Sequence, residues 1–487
     1  MNKKAIITIL LAFVSMTVSA IDDYLFHSGT AVLKGRIQNK AEGEWSIVSV
    51  VTFNLFSDEE QVHAIPVAPD GSFEGSIPLQ HSHSVYVEDI GYMFLAVGDT
   101  LEVIKDATQE DKVGVTFGGQ GMSTDVNRLW PGVKKHYFGE KDLLVKGLAR
   151  EEIPAWKQQI VKLLDNVIAD IEADRLPVPA ATADNVKEVL GASLLGDLLM
   201  ATMENYRYNM TTGGFYQIQR DELGDYYDFL AGRERWLTDN PSMLFAIDSP
   251  SHLINYAGVY IMIDVHFSPK ENGESTADYY RKVSNIITSR YGLKNIGFMQ
   301  QMALCQDVFT EDNLEADSDP NILTGKYAAI IPLISNPIVA HQSLQRYRQY
   351  VGQREGNVTT TVSATPEADA IFQRIIEPYK GNALFVHFWG MSCGPCRSEM
   401  MEERETVERL KDKPVRFLYI CDEKDSPREH TEAWLTKNNI KGEHIYVTHN
   451  EWNLLAAKFN IYAIPFKIGV DMNGNVVAFK EINNYSE

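Results

Sequence analysis

Cysteine is scarce, with four residues in a chain of 487. So few thiols cannot staple a chain of this length, which excludes a disulfide framework. Basic residues are in deficit as well: 45 lysines and arginines face 66 acidic residues, for a formal charge of -21. That balance argues against nucleic acid and against anionic membrane surfaces as partners. Long apolar runs are missing. The run from Ala5 to Val18 is shorter than the about 20 residues a membrane-spanning helix needs. No tandem repeat is obvious. What is present is a hydrophobic fraction of 44%, enough for sizeable cores, and at about 100–200 residues per domain the length fits three domains.

The short apolar run has a role of its own. Lys3 and Lys4 precede it, and Val18-Ser19-Ala20 ends it with small residues. This is the pattern of a Sec-type signal peptide over residues 1–20. The expectation is a soluble, exported, periplasmic protein with no membrane insertion after cleavage. No cysteine lies near the cleavage site to take a lipid.

Residues 21–118 read as a β-rich N-terminal domain resembling a small sandwich. Short β-branched runs recur at Ala31–Ile37, Ile47–Phe53, Gln61–Val67, Ser72–Ile77, Val85–Val87, Phe94–Val97, Leu101–Ile104 and Val113–Phe117, with Pro69-Asp70-Gly71 as a turn. His63, His81 and His83 show no metal-ligand spacing and are expected at the surface or in turns. From 119 to 352 the pattern becomes helical. Ile160, Leu163, Leu164, Val167, Ile168 and Ile171 repeat at helical spacing, while Leu190–Met203 and Leu253–Val265 are more continuously apolar, as buried helices would be. The aromatics Tyr206, Tyr208, Phe215, Tyr216, Tyr226, Tyr227 and Phe229 read as core and interface packing ahead of a peptide groove. Cys305 reads as a buried core thiol. The threonine-rich, aperiodic stretch 353–366 is a linker, and 367–487 forms a last domain.

That last domain carries the chemistry. Phe385-Val386-His387-Phe388-Trp389 is an apolar strand that breaks at Gly390, and Cys393-Gly394-Pro395-Cys396 opens a helical pattern. A thiol at a helix start sits beside unpaired N–H groups and the positive end of the helix dipole, which favours thiolate. Cys396, one turn on, is placed to attack a mixed disulfide on Cys393. A closed zinc site would need four ligands, and Cys305 and Cys421 begin no second pair. The spacing therefore points to redox chemistry ahead of a metal.

Trp389 followed by Cys-Gly-Pro-Cys resembles the thioredoxin superfamily active site, and Ile464-Pro465 resembles its cis-proline loop. The extra segment Asp422 to Glu451 is similar to the TlpA-like branch, which includes ResA-type thiol–disulfide oxidoreductases. The resemblance covers about residues 365–487 and implies an α/β thioredoxin-like domain there. It implies that Cys393 attacks and Cys396 resolves, with Trp389, Gly394, Pro395, Ile464 and Pro465 at the substrate face and Ile464 offering its backbone to an extended substrate. Glu399 and His387 stand where relatives keep a group to take the Cys396 proton. A first-turn helix carboxylate and a hydrogen-bonded core histidine are the competing readings, and both pairs stay open. Two departures matter. Ser392 replaces the aromatic residue usual before the first cysteine, and the sequence ends at Glu487, soon after the last expected strand, where the fold normally adds a covering helix.

The multidomain chain is therefore expected to be an exported disulfide reductase for envelope proteins, active in cell redox homeostasis, with the Gly-Pro dipeptide favouring the reducing direction. Its partners would be disulfide-containing proteins and a membrane-borne electron donor, and no organic cofactor or metal is implied. The rival is a scaffold that uses a thioredoxin-like domain for recognition, and an intact, oxidation-prone cysteine pair argues against it. Thiol peroxidase activity finds no supporting residues around Cys393.

Overall fold

The computed structural model describes residues 26–56, 59–110, 113–139, 143, 149, 151–210, 229–230, 232–247, 273–291, 296–309, 320–354, 365–477 and 479. The signal-like segment, the apolar stretch 253–265, most of the linker and the aromatics at 215, 216, 226 and 227 lie outside them. The chain divides into two compact units. One comprises residues 1–36, 52–59 and 75–359, the other 37–51, 60–74 and 360–487.

Eight strands arise where the β-branched runs fall: β1 Gly29–Gln38, β2 Ile47–Asn54, β3 Glu59–Pro66, β4 Ser72–Leu79, β5 His83–Val87, β6 Gly91–Leu95, β7 Thr100–Asp106 and β8 Val115–Gln120. They form two four-stranded sheets, ordered β4-β1-β7-β8 and β3-β2-β5-β6. In the first unit, His81, in the bend before β5, and His83, on β5, are fully buried, so neither takes a surface position and His81 alone takes a turn position. His83 Nδ1 lies 2.6 Å from the His81 carbonyl and its Nε2 receives the Phe53 N–H. Burial pushes His81 down to about 3 and His83 to about 4. Both are neutral side chains that satisfy backbone groups inside the core.

The helices of this unit are α1 Met122–Phe138, α2 Ile153–Glu172, α3 Asp184–Met210, α4 Glu234–Leu237, α5 Thr276–Tyr291, α6 Phe298–Phe309, α7 Pro320–Ile330 and α8 Pro337–Arg354. Helix α2 buries the stripe Ile160, Leu164 and Val167 and leaves charges outside. Leu190, Leu194, Leu195, Leu198 and Leu199 of α3 are all buried, which is why its sequence lacks a polar face in that stretch. Cys305 is a core thiol of α6, and burial pushes it up to about 12. Among the described residues, no helix is long and apolar enough to cross a membrane.

The second unit is built on a five-stranded mixed sheet. Its elements are α9 Pro366–Ile376, β9 Ala383–Trp389, α10 Gly394–Leu410, β10 Val415–Asp422, α11 Arg428–Lys437, β11 Glu443–Val447, α12 His449–Phe459, β12 Phe466–Val470 and β13 Val476–Val477. The strand order is β11-β10-β9-β12-β13. Strands β9, β10 and β11 run parallel, while β12 is antiparallel to β9 and to β13. Every residue of β9 is buried, as expected for a central strand covered on both faces. The unit is not the contiguous 367–487 segment expected from sequence, because it takes in residues 37–51 and 60–74. Asn450 joins Ser46 through two hydrogen bonds of 2.8 and 3.1 Å. Asn460 accepts from the Val62 N–H at 2.7 Å and donates to the Glu60 carbonyl at 2.9 Å.

Candidate active site

The loop 390–392 leaves the carboxyl end of β9, and α10 begins at Gly394. Cys393 is the N-cap of that helix: its sulfur accepts the Cys396 N–H at 3.1 Å, and its carbonyl accepts the Arg397 N–H at 3.2 Å. Pro395 occupies the first turn, where a missing N–H costs nothing. Cys393 and Cys396 are joined by a disulfide, with Cα atoms 5.4 Å apart. Cys393 is 9% exposed and Cys396 fully buried, so only the first can be reached from outside. Ser392, Gly394 and Pro395 around it are exposed.

Across the loop, the Ile464–Pro465 peptide bond is cis. The Ile464 carbonyl oxygen lies 3.6 Å from Cys393 Sγ, so the cis-peptide loop and the cysteine loop meet at this sulfur. Trp389 does not join them. It is 1% exposed and packs at 5.9 Å from Trp434. Strand alternation sends Trp389 to the same covered face as Phe385, and its place at the substrate face is corrected to a place in the core.

Beneath α10 lies a polar row that only the strand register reveals. His444, Tyr419, His387 and Lys467 are lateral neighbours on β11, β10, β9 and β12. Helix α10 sets Glu399 and Glu403 over this row, one and two turns beyond Cys396 on the same helix face. The Lys467 ammonium lies 2.7 Å from Glu399 and 2.9 Å from Glu403, and the Tyr419 hydroxyl donates to Glu403 at 3.1 Å. His387 is buried, with its ring nitrogens 3.9 Å from Glu399 and 3.7 Å from Glu403 and, among the described residues, no hydrogen-bond partner.

Burial alone would raise the Glu403 carboxyl. The interactions with His387 and Lys467 outweigh it and bring the group down to about 2. Burial likewise opposes the Lys467 charge, but Glu399 and Glu403 hold the ammonium above the usual lysine range. Glu399 keeps 38% of its side chain exposed and is paired with Lys467. His387, Glu399 and Glu403 offer ligand atoms within 4.8 Å of one another, yet Lys467 already supplies a cation to both carboxylates.

A second group of residues holds the loop itself. Ser426, fully buried after β10, accepts the Met391 N–H at 2.9 Å and donates to Asp425 Oδ2 at 3.0 Å. The same oxygen stands 3.5 Å from the Ser392 N–H. A Cβ on Gly390 would collide with Asp425 Oδ2 and press on Ile464 Cδ1, so any other residue there would have to push the Asp425 side chain aside. Cys421, one row from the loop on β10, is buried, and burial pushes its thiol up to about 12. Sequence reasoning missed Lys467, Tyr419, Glu403, Asp425 and Ser426. The spacing of Cys396, Glu399 and Glu403 was the one available signal.

No family model and no curated protein matches this chain. Solved structures do. The thioredoxin domain of a thiol-disulfide oxidoreductase from Bacteroides vulgatus is 19% identical, covering 23% of this chain and 84% of that one at a TM-score of 0.21. A thiol:disulfide interchange protein of the thioredoxin family from Chlorobium tepidum is 22% identical, covering 23% and 85% at 0.20. StoA from Bacillus subtilis is 16% identical, covering 23% and 87% at 0.20.

Proposed function

We propose that the chain is an exported thiol–disulfide oxidoreductase of TlpA-like type, working as a disulfide reductase in the periplasm. The observation that carries this reading is the Cys393 sulfur, which caps α10, receives the Cys396 N–H and faces the Ile464 carbonyl. A sulfur so placed is stabilised as thiolate by the N–H groups and dipole of the helix end. The signal-like residues 1–20 support export, and the acidic composition fits protein rather than nucleic-acid substrates.

The reaction moves two electrons from the dithiol to a substrate disulfide. The Cys393 thiolate attacks one substrate sulfur, forming a mixed disulfide and releasing the other as a thiolate that takes up a proton. Cys396 then gives its proton to an acceptor, and its sulfur attacks Cys393 to release the second substrate thiol. On this reading the acceptor is Glu399, one turn beyond Cys396 on α10, or His387, on β9 beneath that helix. The resulting Cys393–Cys396 disulfide is the state seen in the structure. A donor of two electrons and two protons, held at the membrane, would restore the dithiol. The β-rich and helical regions would position the redox domain or select its partners.

Insulin reduction with dithiothreitol as the electron source tests the reading. Wild-type protein should accelerate insulin precipitation, Cys393→Ser should abolish the acceleration, and Cys396→Ser should trap a mixed disulfide with the substrate. Activity equal to dithiothreitol alone, with folding intact, would favour a recognition scaffold instead.

A further inference from the structure

We infer that Asp425 sets the reducing strength of the cysteine pair, by keeping a negative charge in the loop that presents Cys393. The inference rests on the thiol-exchange reading above. Asp425 acts on each residue of the short loop before Cys393, on Met391 only through Ser426. Its Oδ2 fills the space that a Gly390 side chain would need, holds Ser426, which in turn holds the Met391 N–H, and faces the Ser392 N–H. Cys393 comes next, with its own N–H bonded to the Gly390 carbonyl at 3.1 Å. The carboxylate is therefore held against the backbone of Ser392, the residue before Cys393.

The neighbouring carboxylate is engaged elsewhere. Asp422 is taken up by His449, whose Nδ1 lies 2.6 Å away. The helix end favours a Cys393 thiolate, and a close carboxylate opposes it. A less stable thiolate makes the reduced pair a stronger electron donor, the reverse of strong oxidants, whose reduced form is stabilised. Ser392 suits this arrangement, because its small exposed side chain leaves Asp425 beside the backbone.

The charge can be separated from the positioning. Asp425→Asn keeps an oxygen to accept from Ser392 and Ser426 and removes the charge. Proteins carrying Cys305→Ser and Cys421→Ser would be titrated with glutathione, and the rate of iodoacetamide alkylation of reduced Cys393 would be measured at pH 7. Asp425→Asn is expected to alkylate severalfold faster and to shift the glutathione equilibrium severalfold toward the dithiol, where tenfold corresponds to about 30 mV. Ser392→Asp, at an exposed position, adds a charge and should move both readouts the other way, which keeps the test open if Asp425→Asn folds poorly. Unchanged rate and equilibrium in a folded Asp425→Asn, or in Ser392→Asp, would overturn the inference alone. A wild-type protein with no reversible transition would overturn the thiol-exchange reading and this inference with it.

Discussion

Cys393 has two duties at the scale of single residues: it caps α10 through its sulfur and is the more accessible of the two thiols. Reduction leaves the cap in place, since a thiolate accepts the Cys396 N–H at least as well as a disulfide sulfur does. Below it, the ion cluster of Glu399, Glu403 and Lys467 gives the unit a pH dependence of known sign. Glu403 sits at about 2, below its ordinary 4.5. Its stabilisation is therefore complete above about pH 4.5 and is lost as pH falls toward 2. Glu403→Gln should flatten the fall in stability across that window, read as urea midpoints at pH 6 and pH 3. An equal fall in variant and wild type would show that the cluster does not hold the fold.

Among the elements, β9 and α10 were legible because their signals are local. An unbroken apolar run, a glycine and a cysteine pair one turn apart are all read within a dozen residues. The polar row under α10 was not, because His444, Tyr419, His387 and Lys467 come together only through the register of four strands. Trp389 was misread for a related reason: its neighbourhood to Cys393 in sequence says nothing about which sheet face it takes. Asp425 and Ser426 were hidden in a segment whose closure on the active-site loop no periodicity announces. Helix α12 offers a test at this scale. Thr448 and Glu451 form a reciprocal capping box at its start, so Thr448→Ala should cost about 1 kcal/mol by denaturant unfolding. The cysteine-pair potential should stay at the wild-type value, because the cap lies on a different helix from the dithiol.

For the whole molecule, the main surprise is the composition of the unit that carries the site. Composition shifts pointed to a linker at 353–366, and they cannot show that residues 37–51 and 60–74 belong with the C-terminal sheet. The link is made by asparagines. Asn460 takes the left-handed conformation at the end of α12, with φ of 56°, and from there bonds both Val62 and Glu60. Asn460→Gly retains that conformation and loses both bonds, so it should cost about 1–3 kcal/mol through the backbone groups left unpaired. An unchanged unfolding midpoint would show that the bonds to the 60–74 segment contribute nothing to this unit.

The most direct measurement is the redox potential of the Cys393–Cys396 pair in the full-length protein, with Cys305 and Cys421 replaced by serine. The account expects one reversible two-electron transition near the about -270 mV of thioredoxin, lost in Cys393→Ser. A value well above that would make the protein an oxidant or isomerase, and the absence of any transition would contradict the account.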